Sequence, residues 1–553
     1  MPLMGSLYVG TSGLQTSQNA LNTTGHNITN ADTTGYVRQQ TMLGDRSYNT
    51  ISIDATSIAN KQLGLGVSYS QIRQVRDVFL DQTYREENGR LSMYSTFYNA
   101  TEEVETLLGE LDGASFQNSI SDLWTAVQEL AKDPGSSVTQ GLLMQRAYTF
   151  MTDAQAVYDG LCSYQDNVNR DIKSMVEKIN EYGAKIKDLN EQIIKIECAG
   201  VEKANDLKDA RNQLLDELSA MANIDYYEDT MGNTLVKIEG HMFVTPDRVN
   251  EIGLQVDETT TFYDVFWKDD AQFYVNEVGD TIYYPETAPV FDMTQELSPV
   301  LDTDIGELKA LLITRGDHRA KFTDMEPTYN ENGEMVATDK ENYAKISNSV
   351  IMTVQAEFDK LVHAVVTLIN GALKQAFDKG DGTYMSDGKG NAIEIFQRST
   401  ADPGELEVLN DDESLFTTAN LIINQELMQT PGKLGFKRPD DSIDYETAEL
   451  LKQAFEDADY TLNPETTNGL NLPSFYSSLV AHVANDGAVY KSIRDNEQIT
   501  VDSTESARQQ IIGVSTDEEL SNMIRFQNAY NASSRYINVV SEMLEHILAT
   551  LGQ

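Results

Sequence analysis

Apolar positions recur every seven residues at the start of the chain, at Leu7, Leu14, Leu21 and Ile28, with Gly10, Ser17 and Thr24 between them. The spacing predicts a helix of about six turns, whose small residues let a partner helix approach closely. Gly10, Gly13 and Gly25 each lower helix propensity by up to ~1 kcal/mol, so alone in water this segment is expected to be largely disordered. At the other end, Ser515 and Thr516 each stand three residues before a glutamate, Glu518 and Glu519, the sequence form of a capping box. Met523, Phe526, Tyr530, Ser533, Ile537, Val540, Leu544, Ile547 and Leu551 follow at heptad spacing, with no Pro or Gly before Gly552. That predicts a second terminal helix of about 35 residues and ~50 Å. Both stripes are narrow, so the two ends are expected to pair with each other.

Between the ends the pattern predicts helices over 75–111, 115–131 and, after a break at Asp133-Pro134-Gly135, 137–199. The later half of that last helix repeats Ile172, Met175, Ile179, Tyr182, Ile186, Leu189, Ile193 and Ile196 as four heptads, with Lys and Glu outside them. Another helix is predicted over 203–220. Short alternating runs at 234–238, 262–267 and 281–284 then predict strands of a small unit ending near Asp304. Helices at 305–314 and 343–377, a turn-rich stretch over 378–473 and a helix at 474–511 complete the chain. The expected fold is mainly α and elongated, with the terminal helices paired as a coiled coil, a long-helix bundle and nested β-rich insertions. The domains expected are 1–70 with 514–553 for polymerisation, and 71–224 with part of 305–377 and 474–513 as the bundle. Residues 225–304 form a β-rich outer domain and 378–473 an acidic variable insertion.

Charge sharpens this picture. The 553 residues carry 41 Lys and Arg against 87 Asp and Glu, a net −46, which argues against a nucleic-acid partner. No apolar run reaches the ~18 residues a membrane span needs, so no membrane partner is expected. Residues 1–70 are net neutral and 514–553 are net −3, whereas 401–460 alone hold 15 acids and 4 bases. Quiet ends suit surfaces packed against copies of themselves, and a charged middle suits a solvated exterior. The opening Met1-Pro2-Leu3-Met4-Gly5-Ser6 lacks the basic residue of a cleavable signal.

Candidate chemistry is sparse. Cys162 and Cys198 lie 36 positions apart in one helical pattern, ~54 Å along its axis, so both are expected to be unpaired. The six histidines are scattered without metal-helix spacing. The stretch from Gly382 to Gly390 has five residues where a phosphate loop has four, and Gly390 stands where a magnesium-ligating hydroxyl is needed. Counted from Asp378 as an EF-hand, its third and fifth positions are glycines. There is no Gly-x-Ser-x-Gly elbow. No catalytic, cofactor or metal residue is expected, and the chain is read as a non-enzyme.

One segment is more specific. Asn27-Ile28-Thr29-Asn30-Ala31-Asp32-Thr33-Thr34-Gly35-Tyr36-Val37-Arg38-Gln39 reads as a helix ending in an Asn-rich turn, with Gly35 free to take a positive φ and Tyr36 starting an extended run. It resembles the signature of the bacterial flagellar rod, hook and hook-associated axial proteins, matched at Asn27, Ile28, Asn30, Gly35 and Tyr36, with Arg38-Gln39 as in the hook-associated branch. The run from Gly64 to Leu80 and the tail from Val514 are similar to that branch too, so about 120 residues carry the likeness. The resemblance implies a structural subunit of the hook–filament junction. It would be exported unfolded through the flagellar type III apparatus and assembled as a ring of copies, extracellular on the flagellum. It would contact the hook protein and the next hook-associated protein, with an export chaperone on the C-terminal helix beforehand. The expected assembly interface is Leu7, Leu14, Leu21, Ile28, Asn27, Asn30, Gly35, Tyr36, Met523, Phe526, Tyr530, Ile537, Val540, Leu544, Ile547 and Leu551. Two other readings compete. One is a hook or distal-rod subunit, although those follow the first ~70 residues with mostly β structure; the other is a secreted coiled-coil adhesin whose termini are ordered in isolation.

Overall fold

The computed structural model describes residues 2–46, 48–53, 60–109, 116–200, 202–276, 280–329, 335–380, 384–409, 411–438 and 440–551. The chain is mainly α. Its helices are α1 (Pro2–Thr29), α2 (Val78–Leu107), α3 (Phe116–Lys132), α4 (Ser137–Glu197), α5 (Asn205–Met221), α6 (Glu307–Arg315), α7 (Asp339–Ile346), α8 (Val350–Lys379), α9 (Gln425–Gln429), α10 (Tyr445–Glu456), α11 (Leu472–Ile512) and α12 (Thr516–Leu551). Several of their starts follow side-chain capping. Asp77 accepts from the backbone N–H groups of Phe79 and Leu80 at 3.0 and 3.4 Å, Ser136 caps α4, and Asn471 accepts from Ser474 N ahead of α11.

The helix expected over 343–377 is two helices, a correction with a local cause. Ser347, Asn348 and Ser349 offer the backbone competing side-chain partners. The hydroxyl of Ser349 accepts from Met352 N at 3.2 Å, starting α8, and donates to Thr314 O at 2.7 Å, tying the new start to α6.

The main core lies where α3, α4, α8 and α11 meet. Phe116 sits with its ring centroid 5.0 Å from Phe358, 5.3 Å from Phe150 and 5.2 Å from Tyr476, and the Tyr476 hydroxyl donates to Leu108 O at 2.7 Å. Trp124 stacks on Phe455 of α10 at 5.5 Å. Burying each such ring contributes ~1.5–3 kcal/mol.

The second half of α4 serves as a splint for strands. Its buried positions are Ile172, Val176, Ile179, Gly183, Ile186, Asn190 and Ile193, alternating by four and three. Of the heptad expected there, Tyr182 is also buried, Met175 and Leu189 are half-buried, and Ile196 is exposed. This face receives α5 and the strands that follow it: Ile224–Glu228, Thr234–Ile238 and His241–Val244 in one antiparallel sheet, and Ile252–Val256 paired with Tyr263–Trp267. Three asparagines grip strand backbone by their amides. Asn180 both donates to Ile252 O and accepts from Ile252 N at 2.9 Å, Asn190 does the same to Thr234 at 2.8 and 3.1 Å, and Asn169 accepts from Tyr263 N at 2.9 Å. Gly183 makes room for Phe243, whose ring would stand 2.4 Å from any added Cβ. A further hairpin, Gln272–Val275 with Thr281–Tyr284, projects beyond these strands with the whole first strand exposed.

Cys162 is buried and Cys198 exposed, and neither forms a disulfide. The Asp387 carboxylate accepts from Lys389 N and Asn391 N, so the glycine-rich stretch near Gly388 is an Asx-type turn. No described helix is long and apolar enough to cross a membrane.

Candidate assembly interface and its anchor

α1 and α12 lie against each other and run antiparallel, since Gly10 faces Ile537 and Tyr536 while Gly13 faces Ser533. The contact is close. A Cβ on Gly10 would stand 2.7 Å from Ile537 Cγ1, and one on Gly13 would stand 2.8 Å from Ser533 Oγ. Small residues therefore form the buried face of α1: Gly5, Gly10, Ser12, Thr16, Ser17, Ala20, Thr23 and Thr24. Ser12, Thr16, Ser17 and Thr23 turn their hydroxyls back onto carbonyls of the same helix, which removes the cost of burying them. Leu7, Leu14, Leu21 and Ile28 are half-buried. On α12, Val540 is buried, Met523, Phe526, Tyr530, Ile537 and Leu544 are half-buried, and Ile547 is exposed; the Leu551 side chain lies outside the described residues. Besides these positions α12 presents Leu520, Ile524, Val539, Met543 and Leu548, all exposed.

The signature segment forms a polar knot where α1 ends. Asn27, buried in spite of its amide, donates to Gln39 O at 2.9 Å and accepts from Gln39 N at 3.1 Å and from the Tyr36 hydroxyl at 2.7 Å. It thus pairs with Gln39 as a neighbouring strand would and fixes how the chain leaves the helix. The Asn30 amide donates to His26 O at 3.0 Å, closing the last turn, and Thr33 donates to its carbonyl oxygen at 3.3 Å. Gly35 has φ +79° and lies against Gln213 of α5. Tyr36 also meets the His26 ring edge-on at 5.5 Å.

Beyond the signature, the chain runs into the strand Gln39–Asp45, paired with Val67–Gln74. That hairpin presses on α1 at Gly66 (φ +88°), where a side chain would collide with Ser12. Arg38 joins three elements. Its backbone N–H donates to Ile512 O at 2.9 Å, and its guanidinium meets Glu519 at 2.9 Å and Glu518 at 3.1 Å. The glutamates of the expected capping box are thus the acids that hold Arg38. Ser515 still accepts from Glu518 N, at 3.5 Å.

Sequence periodicity missed the other half of this anchor. The Asp209 carboxylate on α5 accepts from Val37 N at 3.3 Å and from the Gln74 amide at 2.6 Å, and Asp206 accepts from Gln39. Behind them, Arg85 and Arg508 share Asp216 at 2.7 and 2.8 Å, and Arg76 holds Asp81 at 2.8 Å, so α2, α5 and α11 are tied together beneath the knot. The signal available in sequence was the alternation of acids and bases over 206–216, which also reads as an ordinary solvated helix face.

Burial pushes the Asp209 carboxyl up to about 7, with Asp206 adding to the rise, while the Val37 N–H, Arg76 and Gln74 oppose it. A carboxyl raised in the folded state binds an extra proton there between about pH 4 and pH 7, so the stability it contributes falls as pH rises through that window. Asp209→Asn, neutral throughout, should flatten this part of the pH dependence. The melting temperature of the unaltered chain should fall more between pH 5 and pH 8 than that of the variant, and equal falls would show that Asp209 does not carry the effect.

The known proteins similar to this chain are flagellar. A model described as the flagellar hook-associated protein FlgK helical domain matches residues 101–283, flagella basal body rod protein matches 7–36, and flagellar basal body rod FlgEFG protein C-terminal matches 509–550. Flagellar hook-associated protein 1 of Bacillus subtilis strain 168 is 25% identical over 543 residues, 98% of this chain and 96% of that protein. Those of Salmonella typhimurium and Escherichia coli K12 are 23% identical and cover 97% of this chain and 98% of their own. Over nearly its whole length the chain is similar to flagellar hook-associated protein 1. It is a structural component of the bacterial flagellum. The two terminal family models cover most of α1 with the knot as far as Tyr36, and nearly all of α12. The flagellar hook junction protein FlgK of Burkholderia pseudomallei gives a TM-score of 0.40 at 17% identity, over 58% of this chain and 47% of that one.

Proposed function

We propose that this chain is the subunit that joins hook to filament, and that copies of it assemble into a ring through the α1/α12 pair. The observation that carries this reading is the apolar surface that α12 leaves without cover in the monomer. Leu520, Ile524, Val539, Met543 and Leu548 are all exposed, on a helix that contributes nothing to the main core. Exposed apolar surface of this kind marks contact sites. In the assembled ring, the half-buried leucines of α1 and these exposed side chains of α12 meet neighbouring copies, and the knot sets the angle between this layer and the bundle. Residues 1–70 with 514–553 form the polymerising layer. Residues 71–224, part of 305–377 and 474–513 form the surrounding bundle, and 225–304 and 378–473 face the medium. The hook protein and the next hook-associated protein contact the ring at its two ends. Before assembly the chain leaves the cell through the flagellar export apparatus, its C-terminal helix shielded by a chaperone.

The position on the flagellum tests this reading against a hook or rod subunit. An epitope inserted after Asp457, at the exposed end of α10, should be labelled by immunogold as a single band where hook meets filament. Labelling along the whole hook would favour the hook-subunit reading, and labelling away from flagella would favour the adhesin.

A further inference from the structure

A cavity of about 380 Å³ opens between the strand Tyr263–Trp267, the segment 285–297, α6 and the turn joining α7 to α8. Its walls are apolar, formed by Val265, Phe291, Leu312 and Met352 among others. Its floor carries two cations, Lys309 and Arg315, only 2% and 5% exposed. Neither has a carboxylate within 4 Å among the described residues. Lys309 Nζ donates to Thr303 O at 2.8 Å; Arg315 donates to Asn169 Oδ1, Tyr263 O and Gly316 O at 2.8 to 2.9 Å, with its guanidinium 4.9 Å from the Phe262 ring centre. Every partner is neutral. Two hydrogens of the Lys309 ammonium and Nη2 of Arg315 have no protein acceptor among the described residues. A cation buried without an anion is costly, and burial lowers the Arg315 pKa to about 10.

The acids around this cavity do not cancel that charge. Glu286, Asp292 and Asp317 are exposed at the rim, Asp292 is occupied with the backbone and hydroxyl of Thr294, and Asp317 with the His318 ring at 2.6 Å. Asp264 and Glu239, the latter near Lys309, are half-buried, and desolvation favours the neutral acid at each. Lys345, also at the rim, is held by Asn342. The result is a cationic floor beneath apolar walls, at the seam between the strand unit and the helices, a common place for a ligand site.

We propose that this cavity binds a small amphiphilic carboxylate, with its head group on Lys309 and Arg315 and an aromatic or branched aliphatic body against Val265, Phe291, Leu312 and Met352. This site is independent of the ring-forming helices and adds a ligand to a structural subunit. The full chain, with its methionine methyls labelled, should be titrated with 4-phenylbutyrate. Saturable binding that shifts the Met352 methyl resonance is expected, with the neutral 4-phenylbutyramide weaker by about tenfold or more. Lys309→Met should weaken the acid by a similar factor while leaving the amide unchanged. No saturable binding at millimolar concentration, equal affinity for acid and amide, or binding that leaves Met352 unshifted would overturn the site. Should the variant fail to fold, the acid–amide comparison on the unaltered chain decides alone.

Discussion

A chain lacking residues 515–553 should keep its bundle folded and lose the ability to carry a filament. The removed segment holds α12, whose partners are α1 and Arg38, and none of its side chains belongs to the aromatic core around Phe116. Far-ultraviolet circular dichroism should therefore show helix loss in proportion to the deleted residues, with the remaining cooperative melt intact. Cells making only this chain should build hooks without filaments and release flagellin into the medium. Removal of residues 1–60 should do the same. In both terminal helices the unaltered chain should be cut by protease before assembly, because four glycines weaken α1 and α12 leaves apolar side chains exposed along its length. Gly10→Leu is the single-residue counterpart. Its side chain would begin 2.7 Å from Ile537 Cγ1 and 3.1 Å from Tyr536, so the helices must separate, at an overpacking cost of ~1–3 kcal/mol in each copy of a repeating assembly. Swimming should fall at least as far as with a partial truncation, while the monomer melts as before. Normal filaments from either truncated chain would remove the basis for assigning assembly to the terminal pair.

That prediction also marks how far sequence reasoning reached. Period-seven spacing located both terminal helices and the later half of α4, because a helix with one buried stripe repeats its apolar residues at that interval whatever covers it. For the same reason it could not say what covers the stripe. In α1 the leucine register and the Gly10–Ser17–Thr24 register are equally periodic, and it is the absence of side-chain bulk that brings α12 against the second. In α4 the repeat signals a contact with strands and α5 rather than with a second long helix, and the grip of Asn169, Asn180 and Asn190 follows no apolar pattern. The break between α7 and α8 turned on a hydroxyl finding Thr314, over thirty residues away in sequence, a partner that local pattern does not contain. The knot was half legible. Asn27, Gly35 and Tyr36 stood out as a turn, whereas Asp209 looks like any other surface acid, and Glu519 like a helix cap, until the fold brings Val37 and Arg38 to them.

Phe358→Ala should produce the opposite separation of effects. Phe358 is fully buried on α8, and its ring packs against Phe116, which in turn meets Phe150 and Tyr476; one side chain thus touches the point where α3, α4, α8 and α11 converge. Truncating it leaves a cavity that helices pinned elsewhere cannot close, and the cost should be ~3–5 kcal/mol. The neighbouring Glu357 raises the stakes, since its buried carboxylate is held by the Asn463 amide at 2.9 Å and by His482 at 3.3 Å, and any shift of α8 loosens those contacts. A loss of this size is a large part of the ~5–15 kcal/mol that holds a domain together, and at ~2–4 °C per kcal/mol it lowers the melting temperature by roughly 10 °C. Below that temperature filaments should still form, because α1, α12 and the knot are untouched. Leu548→Ala, at a position 71% exposed on α12, is the mirror case: no change in melting, and weaker assembly. Calorimetry and swimming assays on the two variants should therefore move in opposite columns. If Phe358→Ala abolished filaments while the protein remained folded, or Leu548→Ala lowered the melting temperature, core and assembly surface would have to be one cooperative unit, and the division of labour between bundle and terminal pair would not hold.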